Sequence, residues 1–214
     1  MKMNKEWMSI SDMMSGLMLI FLFIAISFMV KVESEKQEMK DIALEYRDTK
    51  VNLNEALYSE FENDLEKWGA SITKENSIIF SSPEVLFSVN SSELKDEFKT
   101  ILEEFFSRYI NILTSSEYKD EILELRVEGH TSNTWLNAKS KKDIYLQNMK
   151  LSQSRAYSVL AYCYTLDNDH ILWLEKYFRA NGMAFSKLKE SDQARRVEFR
   201  VLMKSENKVY DILK

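Results

Sequence analysis

Along the chain, apolar positions reach membrane length once, from Trp7 to Val30, and that stretch carries a single charge, Asp12. As a helix these roughly 24 residues span roughly 36 Å, enough to cross a bilayer with both ends in the headgroups. Lys31 to Lys50 is dense in charge, lacks Gly and Pro, and places Met39, Ile42 and Tyr46 at helical spacing. The pattern therefore predicts either a continuation of the membrane helix or a connector. Leu53, Leu57, Phe61, Leu65 and Trp68 recur at intervals of four and three, predicting an amphipathic helix started by Asn52 or Asn54 and ended at Gly69. Ser77 to Val89 reads as extended, with Ile78-Ile79-Phe80 and Val85-Leu86-Phe87 split by Pro83. Ser91 or Ser92 then caps a helix whose apolar face is Leu94, Phe98, Ile101, Leu102, Phe105 and Tyr109. A strand over Glu124–Glu128, a loop over Thr131–Ile144, and helices over Met149–Thr165 and His170–Arg179 follow. The alternating run Arg196–Leu202 predicts a half-buried final strand. Strands and helices alternate, which predicts an α/β sandwich of helices on one sheet behind a membrane anchor.

Asp12 changes this picture most. An ionised Asp at a helix centre costs about 2.5–3.5 kcal/mol on insertion, so such a residue usually binds or relays an ion. Two plainer readings compete. Asp12 is also a helix-start residue able to reach the interface, where the positive end of the helix dipole suits it. Ala25-Ile26-Ser27 loosely resembles a signal-peptide cleavage site. The apolar run continues past it to Val30, so an uncleaved anchor is expected. Lys2 and Lys5 before the span nearly balance Lys31 and Lys36 after it. The short N-terminal stub therefore sets the orientation: N-terminus cytoplasmic, the bulk outside.

The chain has 214 residues and a net charge of −5, which argues against a nucleic-acid binder. Its one cysteine, Cys163, cannot form an internal disulfide and reads as a buried small apolar residue. Two histidines, without metal-spaced ligands or a nucleophile motif, predict no enzyme, no cofactor and no metal site.

Three segments then converge. Val127-Glu-Gly129-His130-Thr131 ends a strand, Asn148-Met-Lys-Leu151-Ser152-Gln-Ser-Arg155-Ala156 sits on a helix, and Arg195-Arg196-Val-Glu198-Phe199 begins the last strand. In this order they resemble the OmpA-like peptidoglycan-binding domain, over roughly residues 53–204. The resemblance implies that Asn148, Leu151, Arg155, Thr131 and Ser132 face the ligand, with the Arg155 guanidinium taking a carboxylate of the peptidoglycan stem. Leu151 as core and Asn148 as a cap are equally compatible with the spacing, and His130 reads as loop support. The acid in the family's pattern is Ser132 here, and its glycine three positions later is Trp135.

One N-terminal membrane helix with an early Asp, joined to this domain, resembles the MotB type of stator subunit. The wording Ser-Ile-Ser-Asp12-Met-Met-Ser-Gly16-Leu-Met-Leu-Ile-Phe-Leu-Phe-Ile-Ala is most similar to the ZorB group of Zorya anti-phage defence systems. That resemblance implies an inner-membrane homodimer inside a MotA/ZorA-like ring, an ion carried by Asp12, and Ser11 and Ser15 as candidate neighbours on its path. Small-residue helix packing explains both serines as well. The expected organisation is a stub at 1–6, a transmembrane helix at 7–30, a helical connector at 31–52 and an OmpA-like α/β (α+β) sandwich at 53–214. A flagellar-type stator and a wall tether without ion transport are the alternatives.

Overall fold

The computed structural model describes residues 3–88, 90–187 and 194–204. Residues 1–2 of the expected stub, Val89 of the expected extended segment and the last ten residues of the expected domain lie outside the described residues.

Membrane-length segment, charged stretch and amphipathic stripe are one helix, α1, running from Met3 to Trp68 over 66 residues. That is about 100 Å of helix. No helix starts at Asn52 or Asn54: the Asn54 amide instead donates to the carbonyl of Thr73 (2.8 Å) and to Oδ1 of Asn76 (2.8 Å). Gly69, at φ +58°, ends α1 in the left-handed conformation that glycine adopts without steric cost. From Ile10 to Lys40 every side chain is exposed, and among the described residues α1 is the one helix long and apolar enough to cross a membrane. Its far end is core: Leu53, Leu57 and Phe61 are fully buried and Trp68 nearly so.

α1 docks on α3 (Asp96–Leu113) through a polar clamp as well as this stripe. Arg108 of α3 donates from Nε to Glu60 (2.6 Å), from Nη1 to Asp64 (2.8 Å) and from Nη2 to the Glu60 carbonyl (2.7 Å). Its guanidinium lies 4.9 Å from the centre of the Phe61 ring. Glu104 accepts from Lys67 (2.7 Å) and from the Trp68 indole (3.2 Å). A planar cation stacked on a ring and forked onto two carboxylates fixes an angle between helices better than apolar contact alone.

Five strands form one sheet: β1 (Ala70–Ile72), β2 (Ser77–Phe80), β3 (Ile122–His130), β4 (Phe178–Ala184) and β5 (Val197–Met203). Their order is β1-β2-β5-β3-β4, and β3–β4 is the parallel pair, joined through α4 (Lys141–Leu166) and α5 (Ile171–Tyr177). Side chains alternate across the sheet. Leu125, Val127, Val197, Phe199 and Val201 face the helices, where the Phe199 ring meets those of Phe80, Phe105, Phe106 and Tyr109. Cys163 is buried among these apolar residues. The resulting mixed α/β domain behind one N-terminal apolar helix is the fold class expected.

Several local expectations fail. Val85-Leu86-Phe87 is not a strand: Pro83 opens a short helix, α2 (Pro83–Leu86), and the Ser82 carbonyl accepts from Val85 and Leu86. A missing N–H costs nothing at that position. Phe87 retains a single bridge to Leu94, so Leu94 precedes α3 rather than lying on it. The residue before α3 is Lys95, without a side-chain cap, whereas the Ser91 hydroxyl accepts from Glu93 in a local turn. α4 begins eight residues earlier than the expected Met149, and β4 starts where the second predicted helix was to continue.

Candidate functional site

α4 carries three of the expected pocket residues, Asn148, Leu151 and Arg155, while Thr131 and Ser132 lie in the loop before it, and the start of α4 explains the placement of the three. Ser140 accepts from the Asp143 N–H (3.1 Å) while Asp143 reaches back to the Lys139 N–H (3.0 Å), a reciprocal cap. Asn148 therefore sits two turns inside the helix, not at its mouth. Its amide donates to the Ile144 carbonyl (2.9 Å) and to the Thr134 carbonyl (3.2 Å), tying the 131–140 loop to α4. One turn on, the Ser152 hydroxyl donates to Met149 (2.9 Å) and accepts from the Ala184 N–H (3.0 Å). Gln153 donates to the Ala180 carbonyl (3.0 Å) and accepts from the Gly182 N–H (2.6 Å). These bonds fasten α4 along the β4 edge.

At the end of this row lies Arg155, 7% exposed. Its Nε donates to the Ser91 carbonyl (2.9 Å), Nη2 to the Ser88 carbonyl (3.4 Å), and the guanidinium lies 4.8 Å from the centre of the Phe87 ring. Burial, followed by the positive charge of Arg195, pulls its pKa down to about 10. Among the described residues no carboxylate is paired with Arg155 or Arg195. A buried cation with no carboxylate beside it among the described residues is costly, and the cavities leave room for an anion there.

Two cavities open beside this arginine. One, of about 260 Å³, is lined by Asn90, Thr131, Ser132, Thr134, Trp135, Leu136, Asn148, Leu151, Arg155 and Arg195. It brings together all five residues that the sequence nominates for the ligand: Thr131, Ser132, Asn148, Leu151 and Arg155. The other, of about 310 Å³, lies against Glu84, Leu86, Phe87, Ser88, Lys95, Arg155, Arg195 and Arg196.

The loop that forms the first cavity leaves the sheet over a buried polar cluster on the face turned away from the helices. Glu128 and His130 are 1% exposed, and Glu198 is also buried. His130 Nε2 stands 3.4 Å from Glu198 and 3.8 Å from Glu128. Arg196 donates to Glu198 (2.5 Å) and Lys187 to Glu128 (3.2 Å). Three ligand atoms within 4.8 Å of one another are a set that metals also use, but here each carboxylate is already held by a cation. Backbone bonds from His130 to Arg196 (3.0 Å) and from Thr131 to Ala184 (2.8 Å) complete the loop's foundation.

Burial raises the Glu128 carboxyl, yet the His130 ring and the charges of Lys187 and Arg200 outweigh it and hold the group at about 2. Its contribution is thus present above the ordinary value of 4.5 and is lost as pH falls towards 2. Glu128→Gln is expected to lose about 2 kcal/mol at neutral pH and to flatten the acid limb of stability. Urea unfolding of the two proteins from pH 7 to 3 checks this; parallel acid limbs contradict it.

Asp12, Ser11 and Ser15 lie far along α1 from the pocket, all exposed on the apolar segment. Ser15 is one turn from Asp12 and one turn from Ser11, and Gly16 leaves room for a neighbour, with nothing within 4 Å of a Cβ built there.

The chain is 38% identical to the Zorya protein ZorB of Escherichia coli, across 98% of this chain and 93% of that protein. It belongs to the ZorB family. No family model matches it. Among solved structures, the ZorB-family chain is similar to a putative MotB like protein from Desulfovibrio vulgaris (20% identity, 76% of this chain, 94% of that one, TM-score 0.48). It is also similar to the cell wall anchor of the T6SS from Pseudomonas aeruginosa (21% identity, 69% and 97%, TM-score 0.46). A third is the periplasmic domain of Helicobacter pylori MotB (16% identity, 67% and 95%, TM-score 0.45).

In this ZorB-family chain two kinds of site residue escape sequence reasoning. Arg195 lines both cavities, and its place in the Arg195-Arg196-Val-Glu198 segment was the available signal. Ser88, Ser91 and Phe87 hold Arg155 from a segment more than sixty residues away, for which no local signal exists.

Proposed function

We propose that this ZorB-family chain is a non-enzymatic, stator-type subunit that crosses the inner membrane once, N-terminus in the cytoplasm, and grips peptidoglycan with its periplasmic domain. Two copies sit inside a ring of a MotA-like, ZorA-like subunit, and ion passage at Asp12 drives rotation of ring against pair in anti-phage defence. The reading rests on a family relation that runs through nearly the whole chain, span and domain alike. The geometry supports it at two points. An isolated carboxylate lies within the apolar part of α1, and a buried arginine with no carboxylate partner among the described residues lies at a cavity that collects the expected ligand residues.

Protonation or cation pairing at Asp12 would switch which neighbouring contacts are favourable, which is what a two-state, torque-generating element requires. At the domain, the Ser91 and Ser88 carbonyls hold Arg155 through Nε and Nη2, and the N–H groups left at the end of the guanidinium present a planar donor pair to a carboxylate.

Wall recognition is tested by sedimenting the detergent-solubilised full chain with purified peptidoglycan sacculi. Arg155→Ala is expected to abolish sedimentation, and Arg155→Lys to weaken it about tenfold, because a point charge cannot reproduce the fork. Undiminished sedimentation of Arg155→Ala would remove the pocket from wall binding.

A further inference from the structure

Among the described residues that line the smaller cavity, the charged groups are Arg155 and Arg195, with no carboxylate. The other polar groups are neutral. Thr131 is buried and its hydroxyl has no hydrogen-bond partner. Ser132 and Thr134 share one bond of 3.2 Å, and Asn148 spends its amide N–H groups on Thr134 and Ile144, leaving its oxygen as an acceptor. Beside them Leu136 is 80% exposed, an apolar surface at the rim. Such a lining matches a carboxylate next to a neutral amide: the guanidinium groups take the anion, and hydroxyls and an amide oxygen take the amide N–H and C=O. It does not match an ammonium, which would stand against two cations with no anionic partner among the described lining residues.

Taking the pocket as the peptidoglycan site proposed above, we infer that it selects stem peptides whose diaminopimelate amine is acylated, the chemical state of that residue within a cross-link, over those whose amine is free. The distal carbon of diaminopimelate bears a carboxylate and an amine. Acylation removes the positive charge of the amine and leaves the carboxylate for Arg155. The chain would then seat itself on cross-linked wall rather than on fresh or trimmed strands.

Calorimetry of the full chain in detergent with three soluble disaccharide-tripeptides tests this. One has the diaminopimelate amine free, one has it N-acetylated, and one has it N,N-dimethylated, which adds bulk and keeps the charge. The acetylated form is expected to bind about tenfold more tightly than either of the others. Ser132→Asp, which supplies an anion at the pocket, is expected to bring the free-amine form level with the acetylated one or ahead of it. A wild-type chain that binds the free amine as tightly as the acetyl form overturns the inference. So does a dimethyl form that matches the acetyl form, since bulk would then be the cause. Binding of none of the three overturns it too, and sacculus sedimentation of the same sample shows whether wall recognition itself has failed.

Discussion

Asp12→Asn is expected to abolish protection against phage while leaving the membrane complex assembled. Asparagine keeps the shape of the side chain and much of its hydrogen bonding, but it can neither lose a proton nor pair with a cation as a carboxylate does. A charge near the start of the span costs less than the about 2.5–3.5 kcal/mol of a helix centre but still opposes insertion, so its removal eases insertion rather than impairing it. A loss of function therefore points to the missing charge and not to missing protein. Plating efficiency of phage on cells that carry the variant should return to that of cells lacking the system. Co-purification with the ring subunit should be unchanged. Full protection from both Asp12→Asn and Asp12→Ala would leave the chain as a wall tether that moves no ions.

Gly129→Ala carries the largest expected effect on stability. A Cβ at this position of β3 would come 2.3 Å from the Ser152 carbonyl oxygen, 3.1 Å from its carbon and 3.3 Å from the Ala156 nitrogen. All three are backbone atoms of α4, and no side chain can turn away to relieve the contact. The helix must lift from the sheet, at a cost of about 3 kcal/mol and a fall in Tm of roughly 10 °C. The cost reaches the ligand site as well, because Asn148, Leu151 and Arg155 ride on that helix and Ser152 anchors it to Ala184. Wall binding should weaken in parallel, measured by thermal unfolding and sacculus sedimentation on one sample. An unchanged Tm would mean that α4 does not rest on β3 at this point.

Gly129 also shows what the amino-acid sequence makes legible. Elements with strong periodicity read correctly: the stripe of Phe98, Leu102, Phe105 and Tyr109 on α3, and the alternation of Val197, Phe199 and Val201 on β5. Elements whose stability comes from long-range contact do not. β4 is Phe-Arg-Ala-Asn-Gly-Met-Ala, with poor strand formers, and it exists because β3 pairs with it and Ser152 and Gln153 bond its backbone. The first turns of α4 expose Tyr145 and Leu146 and lack an apolar stripe, so the Ser140–Asp143 cap was their one local signature. Val85-Leu86-Phe87 has strand-like composition, yet the proline before it favoured a helical turn. At the site, motif order was enough to group Thr131, Ser132, Asn148, Leu151 and Arg155. The carbonyls of Ser88 and Ser91 that hold the guanidinium belong to a distant segment, reached only through the fold.

α1 contains neither glycine nor proline between Leu17 and Trp68, and its last turns are bolted to α3 by Arg108 and Glu104. Such a shaft has no swivel. On the proposed reading, in which the wall holds the domain, the roughly 60 Å from Asp12 to Leu53 would act as a stiff axle whose inner tip keeps its bearing. Any turning in such an assembly would then appear in whatever surrounds the helix, and the unbroken run from Leu17 to Trp68 would make this chain the fixed part.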